Sequence, residues 1–168
     1  MRRFLFTAVF LAALPAAASA QFQAGVGTAI PTGDFGDVYD PGLHLQASFN
    51  IGLPLLPDVR IDGIYQKFDG DGASTDVVGG GVNLLLDLPL VVIKPYLLAG
   101  VGYYDVSSEI EIAGSTVEGS SSEFGFTGGA GLRVALGRLG VFGEARVLSI
   151  RGEDESINTI PLVIGVTF

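Results

Sequence analysis

The stretch GLHLQASFNIGL alternates without exception: Leu43, Leu45, Ala47, Phe49, Ile51 and Leu53 share one parity, while His44, Gln46, Ser48, Asn50 and Gly52 share the other. A period of two marks a strand with one apolar and one polar face. The pattern recurs along the chain. FQAGVGTAI sets Phe22, Ala24, Val26 and Ile30 against Gln23, Gly25, Gly27 and Ala29, and DVVGGGVNLLLDL sets Val78, Val82, Leu84, Leu86 and Leu88 against Gly79, Gly81, Asn83 and Asp87. DVRIDGIYQKF places Val59, Ile61 and Tyr65 opposite Arg60, Asp62 and Gln66, with Ile64 and Phe68 interrupting the polar face. SEFGFTGGAGLRVAL places Phe124, Phe126, Ala130, Leu132 and Val134 opposite Thr127, Gly129, Gly131 and Arg133. With PYLLAGVGYY, VFGEARVLSI and the closing TIPLVIGVTF, the chain reads as about eight strands, each near the ~9–11 residues that a tilted strand needs to cross a bilayer.

A soluble barrel would also alternate, so the polar face has to decide the environment. A water-facing surface is about 25–35% charged, whereas this face is mostly Gly, Ser, Thr, Asn and Gln with isolated charges. Small polar residues suit a narrow lumen, because eight strands leave an interior that side chains can just fill. Arg60, Asp62, Arg133, Glu144 and Arg146 have lumen parity and can neutralise one another, and His44 and Asn83 share that face. The opposite register would turn the arginines toward lipid at ~2–4 kcal/mol each near the midplane, so register is fixed. Lys67, Asp76 and Arg151 have the other parity but fall at strand ends on the long-loop side, where side chains reach headgroups or water.

The ends of the chain agree with export into a membrane. MRRFLFTAVFLAALPAAASA combines Arg2 and Arg3, an apolar run from Phe4 to Leu14, Pro15 and the small residues Ala18, Ser19 and Ala20, the layout of a cleaved secretory leader over residues 1–20. One domain, residues 21–168, follows. Mean hydropathy is +0.50, yet no stretch after the leader is long enough to span as a helix. The absence of cysteine removes disulfides and a lipid-modified cysteine. At the other end Leu162, Ile164, Val166 and Phe168 alternate up to the last residue. In hydrocarbon every backbone polar group needs an internal partner, so this strand must close the sheet on the first one. Short turns at LPLLPD, LPLVVIKP and LGRLG oppose longer polar segments at PTGDFGDVYDPG, DGDGASTD, VSSEIEIAGSTVEGSSS and RGEDESIN, the two unlike rims of an outer-membrane barrel. EIEI reads as the fifth and sixth strands continuing above the membrane.

The terminal aromatic behind alternating apolar residues, the leader, GVGTAIPTGDFGD and PYLLAGVGYY together resemble the outer-membrane β-barrel domain family, of the small OmpA/OmpX type. The resemblance implies an eight-stranded antiparallel up-and-down transmembrane β-barrel in the cell outer membrane. It also implies that Leu162, Ile164, Val166 and Phe168 act as the signal read by the barrel assembly machinery. No peptidoglycan-binding domain follows Phe168, so that role of two-domain relatives is not carried over.

The remaining chemistry is sparse. Net charge is −9 with few lysines, which excludes a nucleic-acid partner, since phosphate binding needs a basic patch. His44 is the lone histidine. Lipid A deacylase and palmitoyltransferase barrels need a histidine with Ser or acidic partners near the outer leaflet, and no such motif surrounds it. It is expected to hydrogen-bond Gln46, Asn83 or a luminal charge. DGDGASTD begins like a calcium loop, but Ala73 stands where a ligand belongs and the spaced Glu is missing. The loop acids Asp34, Asp37, Asp40, Asp69, Asp71, Asp76, Glu109, Glu111, Glu118, Glu153, Asp154 and Glu155 read as a solvated rim. Divalent cations could bridge them to lipopolysaccharide. The expectation is a barrel with a structural or surface-interaction role, no enzyme activity and no cofactor. Its partners are membrane lipid, lipopolysaccharide and a surface ligand at the loops; a small-solute pore is the alternative.

Overall fold

The computed structural model describes residues 20–168 except 54–55, 71–72, 89–92, 113–114, 138 and 153–155, with backbone alone at 20, 110–112 and 115–118. Residues 1–19 of the expected leader, together with Asp71, Glu153, Asp154 and Glu155 and the side chains of Glu111 and Glu118, lie outside the described residues.

Eight strands form one closed antiparallel barrel in chain order. They are β1 (Ala20–Thr32), β2 (Gly42–Ile51), β3 (Asp58–Gly70), β4 (Ala73–Asp87), β5 (Ile93–Ile112), β6 (Ser115–Leu136), β7 (Leu139–Arg151) and β8 (Ser156–Thr167). The apolar run at the end of the sequence closes the ring: β8 pairs with β1 from Gln23↔Thr167 to Thr32↔Asn158. Phe168 extends the seam, donating its N–H to Phe22 O at 2.9 Å and setting its ring 6.1 Å from that of Phe22. Closure satisfies the backbone within the sheet, which a lipid environment demands.

Alternation sorts the side chains as their parity requires. Phe22, Leu45, Phe49, Ile61, Val82, Leu84, Leu97, Val101, Phe126, Leu132, Val147 and Ile164 are exposed on the outer wall. Such a belt would drive aggregation in water and is satisfied in hydrocarbon. Toward the long-loop end the belt gives way to polar groups. There Tyr65 donates its hydroxyl to Asp76 Oδ1 at 2.6 Å, Ser122 donates to Asp105, and the Arg151 guanidinium lies 5.3 Å above the Phe126 ring.

Two features depart from the period-two reading. DGDGASTD is largely strand, since Asp69↔Ser74 and Gly70↔Ala73 are paired, whereas β5 and β6 stay paired up to Ile112↔Ser115 as EIEI predicts. Above the membrane a strand needs no apolar face, so polarity there does not mean loop. Ile64 and Phe68, which break the polar face of β3, point inward and are buried with Val77, Tyr104, Val106, Leu148 and Ile150 in an apolar layer across the lumen. Inward glycines make room for the larger rings. A Cβ at Gly79 would stand 2.3 Å from Tyr104 Cδ1, and one at Gly131 would stand 2.3 Å from Tyr96 Cζ.

Candidate functional site: a plugged lumen

The centre of the lumen is a four-charge ring. Arg60 and Asp62 are two residues apart on β3, and Glu144 and Arg146 are two apart on β7, so each pair shares its strand's inner face. Strands β3 and β7 stand on opposite sides of the eight-stranded ring, and their charges meet across its diameter. Arg60 Nη1 contacts Glu144 Oε2 at 2.7 Å, and Arg146 Nη1 contacts Asp62 Oδ2 at 2.6 Å. Along the strands, Arg60 Nε lies 2.9 Å from Asp62 Oδ1, and Arg146 Nε pairs with Glu144. Two cations and two anions cancel. Neutral donors fill further lone pairs: Asn83 Nδ2 donates to Asp62 at 2.8 Å and the Tyr96 hydroxyl donates to Glu144 at 2.7 Å. All six side chains are buried. A buried ion cluster is costly to assemble and far more costly to break, because a lone buried charge remains.

Other polar residues on the lumen face sit at different heights. Arg133 is separate from the ring: it faces Asp87 at 3.6 Å near the short-turn end, with its guanidinium 5.1 Å from the Tyr96 ring centroid. Of the partners expected for His44, Gln46 lies close enough to hydrogen-bond it, and Gln66 is a further partner that parity alone does not name. Register sets His44 directly opposite Gln66, whose amide donates to His44 Nδ1 at 3.0 Å, while Gln46 donates to Ser48 at 3.1 Å. Parity gives the face but not the cross-strand partner. Sequence reasoning also misses Tyr96 and Asp87 as partners of the charges; the signal was available, since Tyr96 shares parity with Gly100 and Gly102.

Above the ring lies the apolar layer, and the β1–β2 connection packs against it. Residues Gly33–Asp37 form a 3-10 turn that starts at Gly33 with φ 67°. It carries Phe35 onto Phe68, edge to face at 5.2 Å, and Phe35 stacks with Tyr39 at 4.6 Å. Thr75 Oγ1 holds the Tyr39 hydroxyl at 2.9 Å. No group of three or more His, Cys, Asp or Glu side chains is placed to hold a metal ion among the described residues.

The outer membrane protein beta-barrel domain family matches the sequence over residues 4–168. The chain belongs to that family. Membership implies location in the outer membrane. No curated protein matches the sequence. Among solved structures, Neisserial surface protein A superposes with TM-score 0.69 at 17% identity, over 88% of this chain and 95% of that one. The attachment invasion locus protein Ail of Yersinia pestis gives 0.60 at 12%, over 89% and 97%. The outer membrane enzyme PagL gives 0.57 at 18%, over 88% and 98%. At these identities the likeness is one of fold, and the family's fold hosts both surface proteins and an enzyme.

Proposed function

We propose that this chain is a non-conducting, non-enzymatic outer-membrane barrel with a structural or cell-surface interaction role, exported by a leader over residues 1–20. The observation that carries the reading is the double obstruction of the lumen: the Arg60, Asp62, Glu144 and Arg146 ring across its centre, and the layer around Phe68 beneath Phe35 and Tyr39. A solute would have to break both. His44 supports the same reading, since its Nδ1 accepts from Gln66 and the nearby Ser48 hydroxyl accepts from Gln46. Binding is left to the outer rim, where Asp34, Asp37, Asp40, Asp69 and Glu109 are exposed. We expect association with lipopolysaccharide or a surface ligand that weakens with salt, as screened charge requires. Planar-bilayer recording of the folded protein should show no stable conductance. Reproducible single-channel steps abolished by neutralising Arg60 would replace this reading with a pore.

The terminal strand is proposed as the element read by the assembly machinery. Leu162, Ile164, Val166 and Phe168 are all exposed on the outer wall. Phe168→Asp should leave export intact and deplete the heat-modifiable folded form in outer-membrane fractions. Equal folded yield for variant and parent would remove the signal from Phe168.

A further inference from the structure

The ladder between β7 and β8 has a gap in mid-wall. Pairing runs from Gly140↔Thr167 to Ala145↔Leu162 and resumes at Leu148↔Thr159, so that Arg146↔Pro161 and Val147↔Ile160 are left out. On its other side β8 stays paired with β1 at both positions, Ala29↔Pro161 and Ile30↔Ile160. Proline within a sheet is normally confined to an edge strand, the first residue of a strand or a bulge. A closed barrel has no edge, and Pro161 stands well inside its strand.

The direction of the missing donor follows from alternation. Phe168 donates its N–H to Phe22 O, and in an antiparallel ladder hydrogen-bonded and non-bonded pairs alternate. Even-numbered residues of β8 therefore turn their N–H and C=O toward β1, and Pro161 turns toward β7, where its register partner is Arg146. Proline has no N–H to give, so the Arg146 carbonyl has no donor from β8. Val147 beside it is 55% exposed on the outer wall, and hydrocarbon on that side offers a carbonyl nothing. The donor has to come from the interior.

An interior cavity of about 10 Å³ meets the gap, lined by Pro161, Arg146, Leu148, Thr127 and Asp62 among others. One water needs about that volume (~10–15 Å³), with two to four polar partners. Arg146 Nη2 and Thr127 Oγ1 are buried and have no hydrogen-bond partner among the described residues. Both side chains belong to residues more than nine-tenths buried. The cavity thus joins the carbonyl-bearing residue to further polar groups that a water can bond.

We propose that this cavity is a binding site for a single internal water, which donates to the Arg146 carbonyl in place of the N–H that Pro161 lacks and takes its other bonds from the polar groups around it. The inference deepens the closed-lumen reading and rests on it, since one trapped water and not a solvent column meets the gap. It also explains how a strand surrounded by lipid tolerates a proline at its centre.

Crystal structures of the folded protein and of Pro161→Ala, with amide hydrogen exchange on both, test this. The parent should show one solvent peak within hydrogen-bond distance of Arg146 O. In Pro161→Ala the new N–H should donate to that oxygen directly, the solvent peak should leave it, and the amide at position 161 should exchange as slowly as that of Val163, which faces β7 in the same way. Thr127→Val keeps the shape of the side chain and removes a polar partner, so the peak should lose occupancy while the barrel is unchanged. A parent gap with no solvent peak at Arg146 O overturns this proposal alone. So does a fast-exchanging amide at position 161 in Pro161→Ala, which would mean that the missing donor is not what opens the ladder. A continuous file of solvent peaks through the lumen past Phe68 would overturn this proposal and the closed-lumen reading together.

Discussion

Glu144→Gln should destabilise the folded barrel by about 3–5 kcal/mol, the cost of breaking a buried ion cluster by removing one member. Glu144 receives Arg60 at 2.7 Å, the Tyr96 hydroxyl at 2.7 Å, and Arg146. After the change two buried guanidinium groups share the single carboxylate of Asp62. A glutamine offers the oxygen without the charge, so the size of the group is kept and the electrostatic balance is lost. Asp37→Asn on the exposed 3-10 turn removes an equal charge with no buried partner and should leave stability unchanged. Urea midpoints of refolding in liposomes measure both. Coincident midpoints for the two variants would mean that the luminal charges are hydrated, and the closed-lumen reading would yield to a conducting one.

The parts of this arrangement that were legible in the sequence are those set by parity. His44, Gln46, Ser48 and Asn50 turn inward because Leu43, Leu45, Ala47 and Phe49 turn outward, and a single strand is enough to read that. The height of each group along the barrel was not legible. Arg60, Arg133 and Arg146 share a face, yet Arg133 meets Asp87 while the others meet Glu144, because strand tilt and stagger decide which inward residues share a level. His44 and Gln66 illustrate the same limit, since their contact follows from the β2–β3 register. Ile64 and Phe68 look like noise while the polar face is taken to be wet. They become regular once part of the interior is apolar, and Phe35 and Tyr39 complete that layer from a connection whose sequence, PTGDFGDVYDPG, carries no periodicity at all.

Val82→Arg should cost about 2–4 kcal/mol in a bilayer and Leu88→Arg about 0–1 kcal/mol, the depth dependence of a cation on a lipid-facing wall. The outward residues of β4 run from Leu86 through Leu84, Val82, Gly80 and Val78 to Asp76, with Leu88 just beyond the strand, so Val82 stands midway between the two rims. Val82 and Leu88 are similarly accessible on the protein itself, 50% and 45% exposed. Accessibility within the chain therefore predicts equal tolerance at the two sites, and a barrel surrounded by water would accept arginine at either. A difference appears only if hydrocarbon surrounds the middle of the strand, where an arginine must stretch a long way to reach water, while at the rim it is already there. Refolding each variant into liposomes and comparing urea midpoints separates the two environments. Equal midpoints would contradict the assignment of this wall to lipid, and with it the reason that the polar residues of every strand face inward.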